Sequence, residues 1–198
     1  MEWSILHALN DFLRQHDAVE DPLVFYINSS EVLFAATLAV IFLAAHGTRW
    51  RDWRRAAVAA VGSAGFALAL AAVIGSLVDR VRPFVADPGQ LHLFVAHSAD
   101  ASFPSDHATA SFAIAVAIVL RKPRWGAVAI ALATVLSVGR VAVGVHYPSD
   151  ALAGAALGSA VAVLLWAPPL RRRIDEVSDR AGGWWDEAVA RSRRVLAR

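Results

Sequence analysis

Five apolar runs constrain this chain of 198 residues more than any other feature of its sequence. A helix that crosses the hydrocarbon core of a bilayer needs about 20 predominantly apolar residues, with about 17 as the lower limit. The first run ends near Ala45 and begins between Pro22 and Val32, because polar residues 28–31 interrupt it. The others extend over residues 56–78, 104–120, 125–145 and 148–167. We therefore predict an all-α fold, a polytopic membrane helix bundle with five transmembrane helices.

The composition agrees with a membrane protein and excludes some chemistry. The hydrophobic fraction is 57%, above the ~45–50% typical of soluble domains. The chain has no cysteine, which excludes disulfides, thiolate metal sites and cysteine nucleophiles. The carboxylates do not cluster at metal-ligand spacing, so we expect no metal and no other cofactor.

Amphipathic segments flank the apolar runs. An apolar stripe at helical spacing near the N-terminus predicts a short interfacial helix; its residues are Trp3, Ile5, Leu6, Leu9, Phe12 and Leu13. We assign residues 1–170 to a membrane-embedded domain and residues 171–198 to a basic amphipathic tail. The tail is predicted to lie on the anionic inner leaflet. A solvated tail held by nothing is the alternative, because Gly182 and Gly183 favour a break in the helix.

The basic residues predict the orientation of the chain. Fifteen of the 19 Lys and Arg residues lie in residues 49–55, 121–124 and 171–198, which five crossings would place on one side. Loops rich in Lys and Arg normally stay in the cytoplasm. We therefore predict a multi-pass protein of the plasma membrane with a cytoplasmic C-terminus, and an N-terminus on the opposite side.

Three short polar stretches remain, and all fall at the predicted outer ends of helices. Residues 79–84 follow the second run, residues 102–107 begin the third, and the last stretch, between the fourth and fifth runs, contains Arg140, His146 and Asp150. The predicted topology places all three at one depth in the membrane. We therefore predict that they form a single site on the extracytoplasmic face.

The second stretch is predicted to place polar side chains at a helix N-terminus. Pro104 fits the first turn of a helix, where its missing N–H costs nothing. Ser105, Asp106 and His107 would then lie where free amides and the positive end of the helix dipole attract an anion. Asp106 fits two roles, as a helix cap or as a substrate contact.

The third stretch predicts a paired histidine and carboxylate. Pro148 disfavours helix at the residue before it and fits the first turn of a helix after it. His146 would therefore lie on the turn and Asp150 in the first helical turn. A carboxylate in that position can hold one imidazole nitrogen and leave the other facing the site.

Two arginines in these stretches are suited to phosphate. The planar guanidinium groups of Arg82 and Arg140 match pairs of phosphate oxygens. An arginine in the middle of a bilayer costs roughly 2.5–3.5 kcal/mol, so Arg140 indicates a polar cavity.

The three stretches together resemble the signatures of the type 2 phosphatidic acid phosphatase family, K-x6-R-P, P-S-G-H and S-R-x5-H-x3-D. Arg82 and Pro83 match the end of the first signature, and residues 104–107 match the second with Asp106 in place of glycine. Arg140, His146 and Asp150 match the third at its full spacing. The resemblance covers residues 78–158 well. The Pro-Ser-Asp-His form and the chain length look like the bacitracin-resistance branch of undecaprenyl diphosphatases, which are bacterial.

The sequence departs from the family pattern at two positions. The lysine of the first signature would fall at Gly75, and Gly139 takes the place of the serine before Arg140. We expect Arg80 to replace the missing lysine as a phosphate ligand, provided that the chain leaves the helix near Asp79. The alternative is that Arg80 pairs with Asp79 or with lipid head groups.

The resemblance implies a metal-independent hydrolase that acts on a lipid phosphate or diphosphate within the bilayer, with no nucleic acid as a partner. His146 would attack phosphorus and form a phosphohistidine, Asp150 would orient His146, and His107 would protonate the leaving oxygen. The substrate ligands would be Arg82, Arg140, Ser105, Arg80 and Asp106.

Undecaprenyl diphosphate is the first substrate that this resemblance implies. The alternatives are another lipid phosphate (phosphatidate, phosphatidylglycerophosphate or a polyprenyl phosphate) or a non-enzymatic protein that binds or transports anionic lipid. Anion binding alone needs only the arginines, so the presence of both His107 and His146 favours an enzyme.

Overall fold

The computed structural model describes residues 1–196, which form eight α-helices and no β-strand. The predicted all-α fold is confirmed. The helices are α1 (Glu2–Arg14), α2 (Asp17–Ala44), α3 (Arg51–Val78), α4 (Pro83–Ala86), α5 (Asp106–Val119), α6 (Pro123–Ala142), α7 (Pro148–Leu165) and α8 (Pro168–Leu196). The end of the predicted basic tail, with Arg198, lies outside the described residues.

Helix α5 lies at the centre of the bundle, packed against α3, α6 and α7. Its inward positions are mostly small, and glycines on α7 let the two backbones approach closely. A Cβ atom at Gly158 would overlap the carbonyl oxygen of Thr109, and one at Gly154 would lie 2.5 Å from the carbonyl oxygen of Ser105. This close packing fixes the start of α5 against the start of α7, where the polar stretches meet.

Four helices, α2, α3, α6 and α7, are long and apolar enough to cross a membrane. Helix α5 is apolar but has 14 residues, or roughly 21 Å of helix, against a hydrocarbon core of about 30 Å. It begins at Asp106 rather than at Pro104 as predicted, because Ser105 is extended and donates its N–H to the carbonyl oxygen of Asp150. Length and composition identify four spans, and the fifth remains a prediction.

Helix α2 begins at Asp17, earlier than the predicted range of Pro22 to Val32. The polar residues 28–31 do not interrupt it. Ser30 is buried and donates its hydroxyl hydrogen to the carbonyl oxygen of Ile27 within the helix, which satisfies the hydroxyl without breaking the backbone pattern. Glu31 keeps an exposed side chain on the same helix.

Helix α1 is present as predicted, and part of its apolar face packs on the protein itself. Leu6 and Leu13 are buried, and Asn10 donates to the carbonyl oxygens of Ala142 and His92 at 2.8 and 2.9 Å. These contacts hold α1 across the ends of α6 and α7. The predicted interfacial location of α1 remains a prediction.

Helix α8 is continuous through Gly182 and Gly183. Ion pairs hold it to the end of the bundle where α3 begins and α5 ends. Asp179 pairs with Arg55 at 2.6 Å, Asp186 pairs with Arg54 at 2.9 Å, and Asp175 pairs with Arg121. The alternative of a solvated tail held by nothing is therefore wrong. The basic residues of the α2–α3 and α5–α6 connections thus lie at the same end of the bundle as α8.

The packing of α5 on α7 predicts a large difference between two glycine-to-alanine substitutions. Gly158→Ala should lower the free energy of unfolding by about 1–3 kcal/mol, because the added methyl group overlaps the backbone of α5. Gly62→Ala on α3 is the matched control, because nothing lies within 4 Å of a Cβ atom there, and alanine favours a helix by about 1 kcal/mol. Thermal unfolding in detergent measures both, and equal midpoints would contradict the packing described.

Candidate active site

The end of the bundle that lies away from α8 gathers all three polar stretches. The end of α3, the start of α5, and the α6–α7 turn (residues 143–147) meet there, and the loop of residues 87–105 covers them. Helix α7 begins at Pro148, Tyr147 is extended, and Asp150 lies in the first turn, all as the sequence predicts. The predicted convergence of the three stretches is therefore found in the structure.

His146 is buried and held from both sides of its ring. Its Nδ1 atom lies 2.9 Å from the carbonyl oxygen of Ser102, and its Nε2 atom lies 3.2 Å from Nη1 of Arg82. A carbonyl oxygen only accepts and a guanidinium only donates, so these partners place the hydrogen on Nδ1 and leave a lone pair on Nε2. Burial lowers the pKa of His146 to about 4, so the imidazole is neutral at neutral pH.

Asp150 is fully buried and shares its two oxygens among several donors. Oδ2 accepts the hydroxyl hydrogen of Ser102 at 2.6 Å and the backbone N–H of Tyr147 at 2.9 Å. Its distance to Nδ1 of His146 is 3.8 Å, too long for a hydrogen bond. The predicted direct bond between Asp150 and His146 is therefore replaced by a link through Ser102, whose carbonyl holds the ring and whose hydroxyl holds the carboxylate.

Arg82 is buried, and each of its three side-chain nitrogens donates a hydrogen bond. Its Nε donates to Oδ1 of Asp100 at 2.8 Å, and its terminal nitrogens donate to the carbonyl oxygens of Val145 at 3.0 Å and Ala101 at 3.2 Å. These bonds fix the guanidinium beside His146. Burial alone would raise the pKa of the Asp100 carboxyl, but the hydrogen bond and charge of Arg82 outweigh it and lower that pKa.

Arg140 and Ser105 carry buried donors that have no partner among the described residues. These are Nε and Nη2 of Arg140 and the hydroxyl of Ser105. Arg140 is 4% exposed and Ser105 is 0% exposed. A buried donor left without a partner costs about 1–3 kcal/mol, and more if it is charged. Unsatisfied donors at the start of α5 and the end of α6 are the arrangement expected where an anion binds.

His107 and Asp106 occupy the first turn of α5. The Nε2 atom of His107 lies 3.4 Å from Oε1 of Glu31, whose side chain is 80% exposed. Asp106 is exposed and makes no hydrogen bond within residues 1–196, and the N-cap position belongs to Ser105. The predicted capping role of Asp106 is thus wrong, while its contact with substrate remains a prediction.

Arg80 is engaged by side chains of α7 and α1. Nη1 donates to Oδ1 of Asp150 and to the hydroxyl of Ser149, both at 2.7 Å, and Nη2 donates to Oε2 of Glu2 at 2.8 Å. These contacts match neither interpretation of Arg80 from the sequence. One predicted that Arg80 binds phosphate, and the other that it pairs with Asp79 or with lipid head groups.

Gly75, where the family pattern has lysine, contacts the loop that carries Ser102. A Cβ atom there would lie 3.2 Å from the carbonyl oxygen of Phe103. Helix α3 ends three residues later, and Asp79 adopts a left-handed conformation with φ of 42°. The glycine therefore allows the loop to lie directly on α3.

Sequence reasoning assigned no role to several side chains that the structure brings to the site. The ring of His97 lies 6.3 Å from that of His146, and burial lowers the pKa of His97. Ser102 was inside a recognised stretch and could have been found from it. Asp100 and Glu2 carried no such signal, because only the folded chain brings the loop and α1 to this end of the bundle.

The arrangement can attack and hold a tetrahedral anion. The lone pair of His146 Nε2 is available for attack and lies beside Arg82, and Arg140 and Ser105 add buried donors without a partner in the described part of the chain. His107 at the start of α5 is a proton donor and acceptor within the same site. Within residues 1–196, His, Asp and Glu side chains do not form a group that could hold a metal ion.

Comparison with known proteins gives matches over most of the chain. The family model described as PAP2 superfamily matches residues 56–174. The Bacitracin transport permease protein BcrC of Bacillus licheniformis is 32% identical over 164 residues, which cover 82% of this chain and 78% of that protein. The Undecaprenyl-diphosphatase BcrC of Bacillus subtilis is 31% identical over 156 residues, which cover 77% and 76%.

A solved structure shares the fold. A crystal structure of a transmembrane PAP2-type phosphatidylglycerolphosphate phosphatase from Bacillus subtilis matches with a TM-score of 0.55 and 22% identity, over 82% of this chain and 83% of that one. The identity is low, so this match supports the helical membrane architecture and not the substrate.

The lowered pKa of His146 predicts a pH dependence of stability. The unfolded chain binds a proton at His146 below about pH 6.5, whereas the folded chain binds one only near pH 4. The unfolded state therefore holds more protons between these values, and the free energy of unfolding should fall as the pH decreases through this range. His146→Gln should flatten the fall in thermal midpoint, and the exposed control His92→Gln should retain it. Parallel curves for both variants would contradict the assignment.

Proposed function

We propose, from the premise that this chain belongs to the PAP2 superfamily, that it hydrolyses undecaprenyl diphosphate to undecaprenyl phosphate and phosphate. The coarser function follows from the family: the chain is a membrane lipid phosphatase, a hydrolase, and the resemblance predicted from its sequence is confirmed. The choice of a polyprenyl diphosphate as substrate is supported by the relative from Bacillus subtilis, whose name is Undecaprenyl-diphosphatase.

The observation that carries the proposal is the pairing of a neutral buried histidine with unsatisfied cationic donors. His146 offers a lone pair at Nε2, while Arg140 and Ser105 hold buried donors without partners in residues 1–196. We infer that a terminal phosphate bound by those donors places its phosphorus next to Nε2, because the charge of Arg140 is close enough to act on the His146 ring. A protein that only bound the anion would need the donors but not the held imidazole.

The first step that we propose transfers the terminal phosphoryl group to His146. The Nε2 lone pair forms a bond to phosphorus while the bond from phosphorus to the bridging oxygen breaks, and that oxygen takes a proton from His107. The hydrogen on Nδ1 stays on that nitrogen and remains donated to the carbonyl oxygen of Ser102. Asp150 stabilises the positive charge that develops on the ring.

The second step releases phosphate. His107, now neutral, takes a proton from a water molecule, and the resulting oxygen attacks the phosphohistidine so that the nitrogen–phosphorus bond breaks. Throughout both steps Arg82, Arg140 and Ser105 hold the equatorial oxygens. Asp106 at the site entrance is the remaining predicted contact with substrate.

A different lipid is the alternative substrate, because apolar walls accept many chains. Purified protein in one detergent should be compared on undecaprenyl diphosphate, undecaprenyl phosphate, phosphatidate and phosphatidylglycerophosphate. We expect the highest kcat/KM on the diphosphate. A higher value on phosphatidate or phosphatidylglycerophosphate would keep the reaction and replace the substrate.

The covalent step predicts a labelled intermediate at His146. Substrate labelled in the terminal phosphate should give, after rapid quenching, a phosphoenzyme that is labile in acid and stable in base. His146→Ala should remove both the label and turnover, and the exposed control His92→Ala should keep both. Near-normal turnover of His146→Ala would rule out the mechanism.

Chelators should leave the wild-type rate unchanged, and a loss restored by a divalent metal would overturn the metal-independent step.

The proposed outer location of the site predicts which positions a membrane-impermeant reagent reaches. Gln90→Cys, in the exposed loop beside the site, should be labelled in intact cells. Thr48→Cys, at the end that carries the basic residues, should be labelled only after the membrane is opened. The chain has no cysteine of its own, so the background is clean. The opposite pattern would place the site, and the N-terminus, in the cytoplasm.

A further inference from the structure

Arg80 forms the middle of a chain of alternating charges that ends at the site. Its guanidinium bridges Oδ1 of Asp150 and Oε2 of Glu2, at 2.7 and 2.8 Å, and also bonds the hydroxyl of Ser149. The same group lies over the ring of Tyr147, 3.9 Å from its centroid. Both terminal nitrogens are thereby engaged.

The contacts of Arg80 differ in kind from those of Arg140. Arg140 is buried, and its Nε and Nη2 have no partner among residues 1–196, as expected of a phosphate ligand. For Arg80 to bind phosphate through Nη1, it would have to release Asp150, which is 0% exposed and would be left as a buried carboxylate without its cation.

We propose that Arg80 is a positioning residue that acts on His146 through Asp150 and Ser102. Arg80 fixes Oδ1 of Asp150, and Oδ2 of the same carboxylate then accepts the hydroxyl hydrogen of Ser102. The carbonyl of Ser102 in turn orients the ring of His146. This role rests on the proposed function, in which His146 is the nucleophile.

Glu2 on helix α1 offsets the positive charge of Arg80 next to Asp150. Arg80 alone would neutralise Asp150 and weaken its attraction for the positive charge that develops on His146. Glu2 restores one net negative charge to the group of three. The hydrogen bond from Ser149 and the charge of Arg80 lower the pKa of the Glu2 carboxyl, which keeps it ionised. Helix α1 is anchored for this task by its buried residues and by a contact between Trp3 and Tyr147.

Kinetics of Arg80 variants distinguish positioning from phosphate binding. Arg80→Ala should lower kcat by about tenfold to a hundredfold, the usual cost of removing an outer partner of a functional group. Its KM and its inhibition constant for inorganic phosphate should stay within about twofold of wild type, because no phosphate ligand is lost. Arg80→Lys should recover part of kcat. Glu2→Gln should lower kcat by less than Arg80→Ala, again without a change in phosphate inhibition.

Two variants calibrate the measurement. Arg140→Ala should raise the inhibition constant for phosphate, as loss of a direct ligand does, and Arg14→Ala, an exposed arginine on α1, should match wild type. If Arg80→Ala follows Arg140→Ala, then Arg80 binds phosphate, and if it matches Arg14→Ala, it has no role; either result overturns the proposal. Arg80→Lys and Glu2→Gln decide the question should Arg80→Ala fail to fold. An active His146→Ala would instead refute the proposed function.

Discussion

The buried carboxylate of Asp150 is the interaction on which the rest of the site depends. A charge with no exposed surface needs partners, since an isolated carboxylate in an apolar interior costs far more than any single contact returns. Its partners come from the segment just after α3, from the covering loop and from the α6–α7 turn. One carboxylate thus binds three segments and fixes their relative positions. The His146 ring is fixed with them, because its Nδ1 donates to the carbonyl of Ser102 in the loop.

The cations at this end of the bundle are arranged in two ways. Arg80 and Arg82 donate to acceptors of the protein, and these bonds fix both guanidinium groups in place. By contrast, Nε and Nη2 of Arg140 and the hydroxyl of Ser105 are buried and have no partner in the part of the chain that the structure describes. An unsatisfied cation in an apolar surrounding is costly, and this cost supports the proposal that phosphate binds there.

Local signals in the sequence were read correctly where they depend on adjacent residues. Pro148 predicted the helix start and the turn at His146, and both are present. Features that depend on tertiary packing differ from the predictions made from the sequence. The α5 helix was expected from Pro104, but the bond between the N–H of Ser105 and α7 holds that residue extended. Gly75 indicated only a missing cation, whereas in the fold it makes room for the loop against α3.

The sequence by itself determined the all-α fold with four of its apolar spans, the family, and the stretches that meet at one end of the bundle, because apolar length, proline positions and motif spacing are properties of neighbouring residues. Only the tertiary structure decided which partner each charged group takes. Asp150 was expected to hold His146 directly, and the structure inserts Ser102 between them. Arg80 bonds Glu2, which is 78 positions away along the chain. Pairing over such distances follows from how the helices pack, and the motif spacing does not encode it.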